Sequence, residues 1–407
     1  MSVTDDIMNT LTAQWYNTLI TGLNMSASDF QLTQASLELP AGSKQLWDTM
    51  DQVATDSIAQ FYDPSTIGTF SGEYQTILGD VQIQSGTAFE TAMGTNYVTF
   101  MADWKTYAMA NSATVFSNPP SSSNAAQMKY FDQWSSLNMD PGAAATCSTL
   151  LAATHDNPFY IAQQLIQNLA IGAEVPFTLG QKRVLALLAG GQARSFSMAS
   201  QSASSDVSNS WSNSFQSAGG TYFYTKTSSS QATDFSQKVA SSAVNVANSF
   251  AHVANIPILP LSTGNVIDGG TTYLPWYYGA ALIAAYQDPT ATTWKDPANW
   301  AKFFGPTGSL QYVATALIVA DGISQTITSD ATFSSDEQAY AAQQNTDDYG
   351  CWPYYVKNDS ASQTSTNTTF SASGQMTSTV TSPVGHPVVI GLLVSSIKSL
   401  ATSVASS

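Results

Sequence analysis

Charge is what this chain has least of. Only 10% of its 407 residues are Asp, Glu, Lys or Arg, against roughly 25% in an average globular protein. Twelve are basic, and the formal net charge is −16. A field of that sign repels phosphate backbones, which argues against nucleic acid as a partner. It also gives no attraction to anionic lipid headgroups. Histidine and cysteine are scarce as well, with three and two copies. None of His155, His252 and His386 stands in a His-x-x-x-His, His-Glu-x-x-His or His-x-His arrangement. The zinc-hydrolase signatures are therefore missing, and neither a metal nor a cofactor is expected. Cys147 and Cys351 make neither a disulfide framework nor a zinc set, and two reduced core thiols are favoured over a single bridge. The sequence has no Gly-x-Ser-x-Gly elbow, Gly-x-Gly-x-x-Gly turn, Walker loop or acidic loop of EF-hand spacing. Its longest apolar runs, Tyr273–Tyr286 and Val384–Val394, fall short of the ~20 residues of a spanning helix. The opening Met-Ser-Val-Thr-Asp-Asp lacks the basic and apolar regions of a secretion signal. The expectation is a soluble protein, cytoplasmic when made, with release by lysis or unconventional secretion left open.

What is abundant is apolar and small polar surface. Hydrophobic residues make up 43% of the chain and aromatics 11%, a composition that folds around a large core. With so few charges, Ser, Thr, Asn and Gln must wet the surface. Ile7, Leu11, Trp15 and Leu19 recur every four residues, behind Thr4 as a candidate N-cap. Ser43 heads a second helical pattern through Leu46, Trp47, Met50, Val53 and Ile58, ended by Tyr62-Asp63-Pro64. A third runs through Tyr74 and Leu78 toward Phe100, Trp104 and Tyr107, and such stripes read first as core. Ser117–Asn124 is a loop by composition. Asp156 before Pro158 marks a helix start with Ile161, Leu165 and Leu169 on one face. A short helix holds Val184–Leu188 and ends at Gly190-Gly191.

Further on the period changes. Ile323, Gln325, Ile327, Ser329, Ala331 and Phe333 alternate with polar residues, as a half-buried strand does. Phe370, Ala372, Gly374, Met376, Ser378 and Val380 predict one continuous strand. Val388–Val394 is a buried strand or a short helix. The expected class is α+β, a helical N-terminal part followed by a β-rich part with Ser/Thr-faced antiparallel strands. The expected division is a mainly helical domain over 1–194, a Ser-rich amphipathic hairpin segment over 195–253 and a β-rich domain over 254–407.

The Ser-rich segment is the distinctive one. Eighteen of the 56 residues from Ser195 to Phe250 are serine, and only four are charged. Between Val207 and Phe215 serines alternate strictly, leaving Val207, Trp211 and Phe215 on the opposite face with Asn209 and Asn213. Gly219-Gly220 and the aromatic patch Tyr222-Phe223-Tyr224 follow, and then Val244, Val246 and Phe250 share a face with His252. One apolar face, one small uncharged polar face and an aromatic tip are what a membrane-inserting hairpin needs. The same features fit an ordinary sheet with one wet face. The spacing of Val207, Trp211 and Phe215, and of Phe235 and Val239, also fits a helix. The two asparagines favour subunit pairing over lipid.

Catalytic candidates are sparse. Asp347-Asp348 beside Tyr349-Gly350-Cys351-Trp352 is the most concentrated acidic–aromatic cluster, of the kind glycosidases use, although adjacent acids usually mark a solvated turn. Asp336-Glu337 suits the first turn of a helix. His155-Asp156 reads as a capping cluster and His386 as a loop residue. The composition thus points away from an enzyme. The leading expectation is a membrane-active, pore-forming-like effector. A self-assembling structural protein comes next, and a carbohydrate-active hydrolase using Asp347 and Asp348 third. The implied partners are a lipid membrane and further copies of the chain.

Overall fold

A computed structural model describes residues 3–39, 43–51, 53–54, 68–116, 120–170, 177, 180–205, 222–224, 229–258, 260, 264–345, 350–355 and 363–405. The chain is α+β, with helices concentrated in the N-terminal half and most strands in the C-terminal half. It divides into two compact units that interleave along the sequence. One comprises 1–68, 180–259 and 312–395; the other comprises 69–179, 260–311 and 396–407.

The strands are β1 (Phe30–Glu38), β2 (Gln192–Ala199), β3 (Val244–Pro257), β4 (Val266–Asp268), β5 (Thr271–Tyr273), β6 (Tyr312–Asp321), β7 (Ser324–Thr332), β8 (Ser365–Phe370), β9 (Gln375–Thr381) and β10 (Val388–Ser396). Eight of them build the sheet of the first unit in the order β1-β10-β6-β3-β7-β9-β8, with β2 on β3. β3 is the spine. Ala316–Asp321 pair with Pro257–His252, and Ser324–Ser329 pair with Ser249–Val244. β6 and β7 are therefore two halves of one long antiparallel partner, interrupted at Gly322-Ile323 without loss of register. Gly322 makes the interruption feasible. Its φ is +59°, and a Cβ there would lie 2.4 Å from the Ala251 Cβ, so only glycine fits.

Alternation dictates which faces are covered. Val244, Val246, Asn248 and Phe250 of β3 point to the core, as do Gln325, Ile327 and Ser329 of β7 and Met376, Ser378 and Val380 of β9. Against this face pack the Val3–Leu23 helix, through Leu11, Trp15 and Leu19, and the Ser230–Ala240 helix, through Phe235 and Val239. The Val3–Leu23 helix begins before Thr4, so Thr4 is not its cap. The Ser335–Gln344 helix starts with a capping box on Ser334 and Glu337. Glu337 also takes both contacts from Lys238 Nζ, at 2.9 and 2.7 Å.

Three further expectations need correction. The continuous strand over Phe370–Val380 is a hairpin, β8 and β9 joined by Ser371–Gly374 with Gly374 at φ +78°. Ser117–Asn124 is not wholly loop, because Pro120 opens the Pro120–Asn138 helix. Proline is well placed there, since a first-turn N–H has no intrahelical partner. The helix start near Asp156 is displaced by one residue. Asp156 closes the Pro141–His155 helix, and Asn157 Oδ1 accepts the Phe159 N–H at 2.8 Å to cap the Pro158–Leu165 helix.

The second unit is mainly helical. The Gln84–Met93, Tyr97–Asn111, Pro120–Asn138 and Pro141–His155 helices enclose a core of Phe89, Met93, Trp104, Phe131, Trp134 and Cys147. The β4–β5 hairpin belongs to this unit. So do Trp276 and Tyr277, whose rings gather with Phe70, Tyr74 and Phe177.

Candidate functional site

The residues expected to meet lipid or another subunit are dispersed. Val207, Trp211 and Phe215 lie outside the described residues. Tyr222 is half-buried, and Phe223, Tyr224, Val244, Val246 and Phe250 are buried in the first unit's core. Phe223 and Tyr224 pack on Phe235 at centroid distances of 5.8 and 5.2 Å. The Tyr224 hydroxyl donates to Thr368 Oγ1 at 2.7 Å, and Thr368 donates on to Ser378 at 2.9 Å. Burial raises the Tyr224 hydroxyl well above its ordinary pKa. In this conformation the aromatic patch is an anchor for the Ser230–Ala240 helix.

The sheet edge is equally informative for assembly. β8 pairs only with β9 among the described strands, which leaves one side of β8 unpaired by sheet. Its centre is nevertheless closed. Asn345 Oδ1 accepts the Thr368 N–H at 2.9 Å, and Asn345 Nδ2 donates to the Thr368 carbonyl at 3.2 Å. A side-chain amide thus occupies the position a further strand would use.

The titratable candidates sit apart. Asp347 and Asp348 lie outside the described residues. Asp336 and Glu337 stand in the first turn of their helix. Cys147 and Cys351 are free, buried thiols, one in each unit, and burial pushes the Cys351 thiol up to about 12. His252 and Asp321 face each other across β3 and β6, with Nδ1 to Oδ1 at 2.8 Å. Asp321 Oδ2 also accepts the Gly385 N–H at 2.9 Å, tying the turn before β10 to the spine. Among the described residues no three metal-ligating side chains converge, and no helix is long and apolar enough to cross a membrane.

One concavity lies inside the helical unit. It is a cavity of about 610 Å³, within the ~300–1,000 Å³ of small-molecule sites. Phe89, Gln127, Leu151 and Thr154 are buried along it, with Trp104 and His155 at 2% and 3% exposure. Thr87, Glu90, Lys105 and Phe116 are exposed around it. Helix geometry places these groups. Phe89 and Glu90 come from the Gln84–Met93 helix, Trp104 and Lys105 from the Tyr97–Asn111 helix, and His155 ends the Pro141–His155 helix.

Two buried groups there have polar atoms without a protein partner: the Trp104 indole N–H and both ring nitrogens of His155. Leaving a buried polar group unsatisfied costs about 1–3 kcal/mol. Burial lowers the His155 pKa, with the neighbouring Asp156 carboxylate opposing the shift. The ring is therefore neutral at pH 7 and offers one donor and one acceptor. It stands 5.3 Å from the Tyr160 ring. The sequence marked His155 as part of a capping cluster and Trp104 as core, and it gave no sign that the two border one cavity.

Compared with known protein families, curated proteins and solved structures, the chain matches none of them.

Proposed function

We propose that the protein is a small-molecule binding protein whose helical unit holds the ligand between the Gln84–Met93, Tyr97–Asn111 and Pro141–His155 helices. One observation carries this reading: a cavity of about 610 Å³ between these helices, bordered by the rings of Phe89, Tyr97, Trp104 and Phe116 with Glu90 and Lys105 along it. Aromatic side chains interspersed with polar groups in a concavity of this size are compatible with a small-molecule site. Nothing comparable favours the other readings. Five of the nine residues expected to contact membrane are packed in the core, three lie outside the described residues, and Tyr222 is half-buried. Assembly through the free side of β8 is opposed by Asn345.

The test is a thermal-shift screen of neutral and charged small molecules against the purified chain, with Leu151→Trp as the control that fills the cavity. Hits that stabilise the parent protein and leave Leu151→Trp unmoved support the reading. A screen in which every hit acts equally on both proteins would overturn it.

A further inference from the structure

We infer that the ligand is a short peptide with both ends free and apolar side chains, lying along the cavity with its amino end at Glu90 and its carboxylate at Lys105. This rests on the small-molecule reading of the cavity and adds the chemical class.

The lining sets the length. The Tyr97–Asn111 helix contributes Tyr97, Met101, Trp104 and Lys105. The Gln84–Met93 helix and its N-cap contribute Ile83, Gly86, Thr87 and Glu90. Each set follows one helix face over two turns. The space is therefore a groove, and from Tyr97 to Lys105 it runs about 12 Å at 1.5 Å per residue. Only Gly94–Asn96 separates the two helices, and the Tyr97 hydroxyl donates to Glu90. Glu90 thus marks the Tyr97 end of the groove, and Lys105 stands at the other. A guest that follows the groove is elongated.

The charges set the ends. Glu90 and Lys105 are both exposed, so a guest reaches them from solvent. Among the described residues neither is in an ion pair. A groove length apart they do not neutralise each other, because exposed charges about 10 Å apart are largely screened. A carboxylate at one end and an ammonium at the other complement a zwitterion in one orientation. A simple anion would meet Glu90 and the formal net charge of −16 as well as Lys105. A simple cation would leave Lys105 opposing it.

The walls set the body. Half-buried Tyr97 and Met101 and exposed Phe116 offer apolar contact that a guest can reach. Tyr97 meets Phe89 edge-to-face at 88° and 6.4 Å, and Phe116 meets Trp104 at 84° and 5.7 Å, which fixes both rings. Thr87 is exposed along the same groove, and Tyr160 and Gln164 are half-buried. Hydroxyl and amide groups of that kind pair with N–H and C=O alike. An aliphatic chain with the same charged ends leaves them unused. A peptide brings one N–H and one C=O per residue to meet them. Three extended residues span roughly 10 Å, which suits the groove, and two fall short of it.

The probes are alanyl-phenylalanyl-alanine, its N-acetyl form, its C-terminal amide, the dipeptide phenylalanyl-alanine, and ω-aminooctanoate, which has the charged ends without the amides. Binding of each to the full chain is measured by calorimetry or ligand-observed NMR at pH 7.5 and low salt. The free tripeptide should bind most tightly, and blocking either end should weaken it about 3–5-fold, the upper range for an exposed ion pair. The dipeptide and ω-aminooctanoate should bind at least ~5-fold more weakly than the tripeptide. Glu90→Gln should remove the penalty for acetylation and keep the penalty for amidation, and Lys105→Gln should do the reverse. Both positions are exposed, so neither change removes core packing. If both blocked tripeptides bind as tightly as the free one, or if the dipeptide or ω-aminooctanoate matches it, the peptide class is overturned. Binding by none of the probes, with screening hits still lost in Leu151→Trp, overturns the class and leaves the cavity reading standing. If no probe binds and Leu151→Trp loses no screening hit, both inferences fall. The comparison among probes needs only the parent protein, so it holds even where a variant folds poorly.

Discussion

Replacing His155 by phenylalanine should stabilise the ligand-free protein and flatten part of its pH dependence. His155 ends the Pro141–His155 helix at 3% exposure, with neither ring nitrogen satisfied by protein. Relief of a buried unsatisfied polar group is worth about 1–3 kcal/mol. Phenylalanine preserves the ring beside Tyr160, which lies 5.3 Å away, and the adjoining cavity leaves room for the added carbon. The expected gain at pH 7.5 is therefore ~1–2 kcal/mol.

The pH arm has a definite sign. Burial lowers the folded-state pKa of His155 below its ordinary 6.5, so the unfolded chain takes up a proton first as pH falls. Wild-type stability is then fully present above that value and declines as pH drops below it. If the folded ring stayed wholly neutral, the loss at pH 5.5 would be about 1.4 kcal/mol, which is a ceiling. Asp156 favours the protonated form and keeps the actual loss smaller. Urea unfolding of both proteins at pH 7.5 and 5.5 gives the four free energies needed. The variant's advantage should be larger at pH 5.5. A variant less stable than wild type by more than ~1 kcal/mol at pH 7.5, or an advantage that shrinks at pH 5.5, would refute the account of this residue.

Other expected outcomes follow from single contacts. Phe235→Ala empties a fully buried site shared with Phe223, Tyr224, Phe333 and Tyr340; it should cost about 3–5 kcal/mol in chemical denaturation. Gly322→Ala forces a Cβ at φ +59° to within 2.4 Å of Ala251 and should lose at least ~2 kcal/mol by the same measurement. Asn345→Ala uncovers the Thr368 backbone on β8 and should produce concentration-dependent association in light scattering; a monodisperse variant would show that the edge is protected by something else. Asn248 and Gln325 are register partners on the core face of β3 and β7, both amides lacking hydrogen-bond partners. Asn248→Val with Gln325→Leu should therefore be neutral or stabilising by up to ~2 kcal/mol, and a loss above that size would mean the amides are satisfied in solution.

Which parts of this molecule the sequence discloses depends on whether the pattern is local. The helix through Leu11, Trp15 and Leu19 is legible because one buried stripe recurs with the helical period. The Ser230–Ala240 helix offers only the pair Phe235 and Val239, which leaves strand and helix both open. β3 and β7 are legible because one face is core and the other is wet. β6 was not read, and the reason is physical: nearly every residue from Val313 to Asp321 is buried, so no alternation survives to mark it. The β8–β9 hairpin reads as one strand because its register partners Phe370 and Met376 are separated by five residues, an odd number. An odd connection keeps the in–out phase, so Phe370 and Met376 stay on one face while the chain reverses between them. The cavity was least legible of all. Trp104 and His155 are 51 positions apart in the chain, and that both line one cavity depends on how separate helices pack, which no periodicity encodes. The sign that was present is a histidine closing the apolar helix Pro141–His155 with only Asp156 as a charged neighbour in sequence. A titratable ring placed where its helix turns inward, without a sequence-adjacent partner positioned to satisfy it, has to find that partner in tertiary structure or in a ligand. Here the protein supplies none to either ring nitrogen; it is the cavity beside the ring, formed by helices distant in sequence, that makes the helical unit, rather than the Ser-rich segment, carry the functional argument.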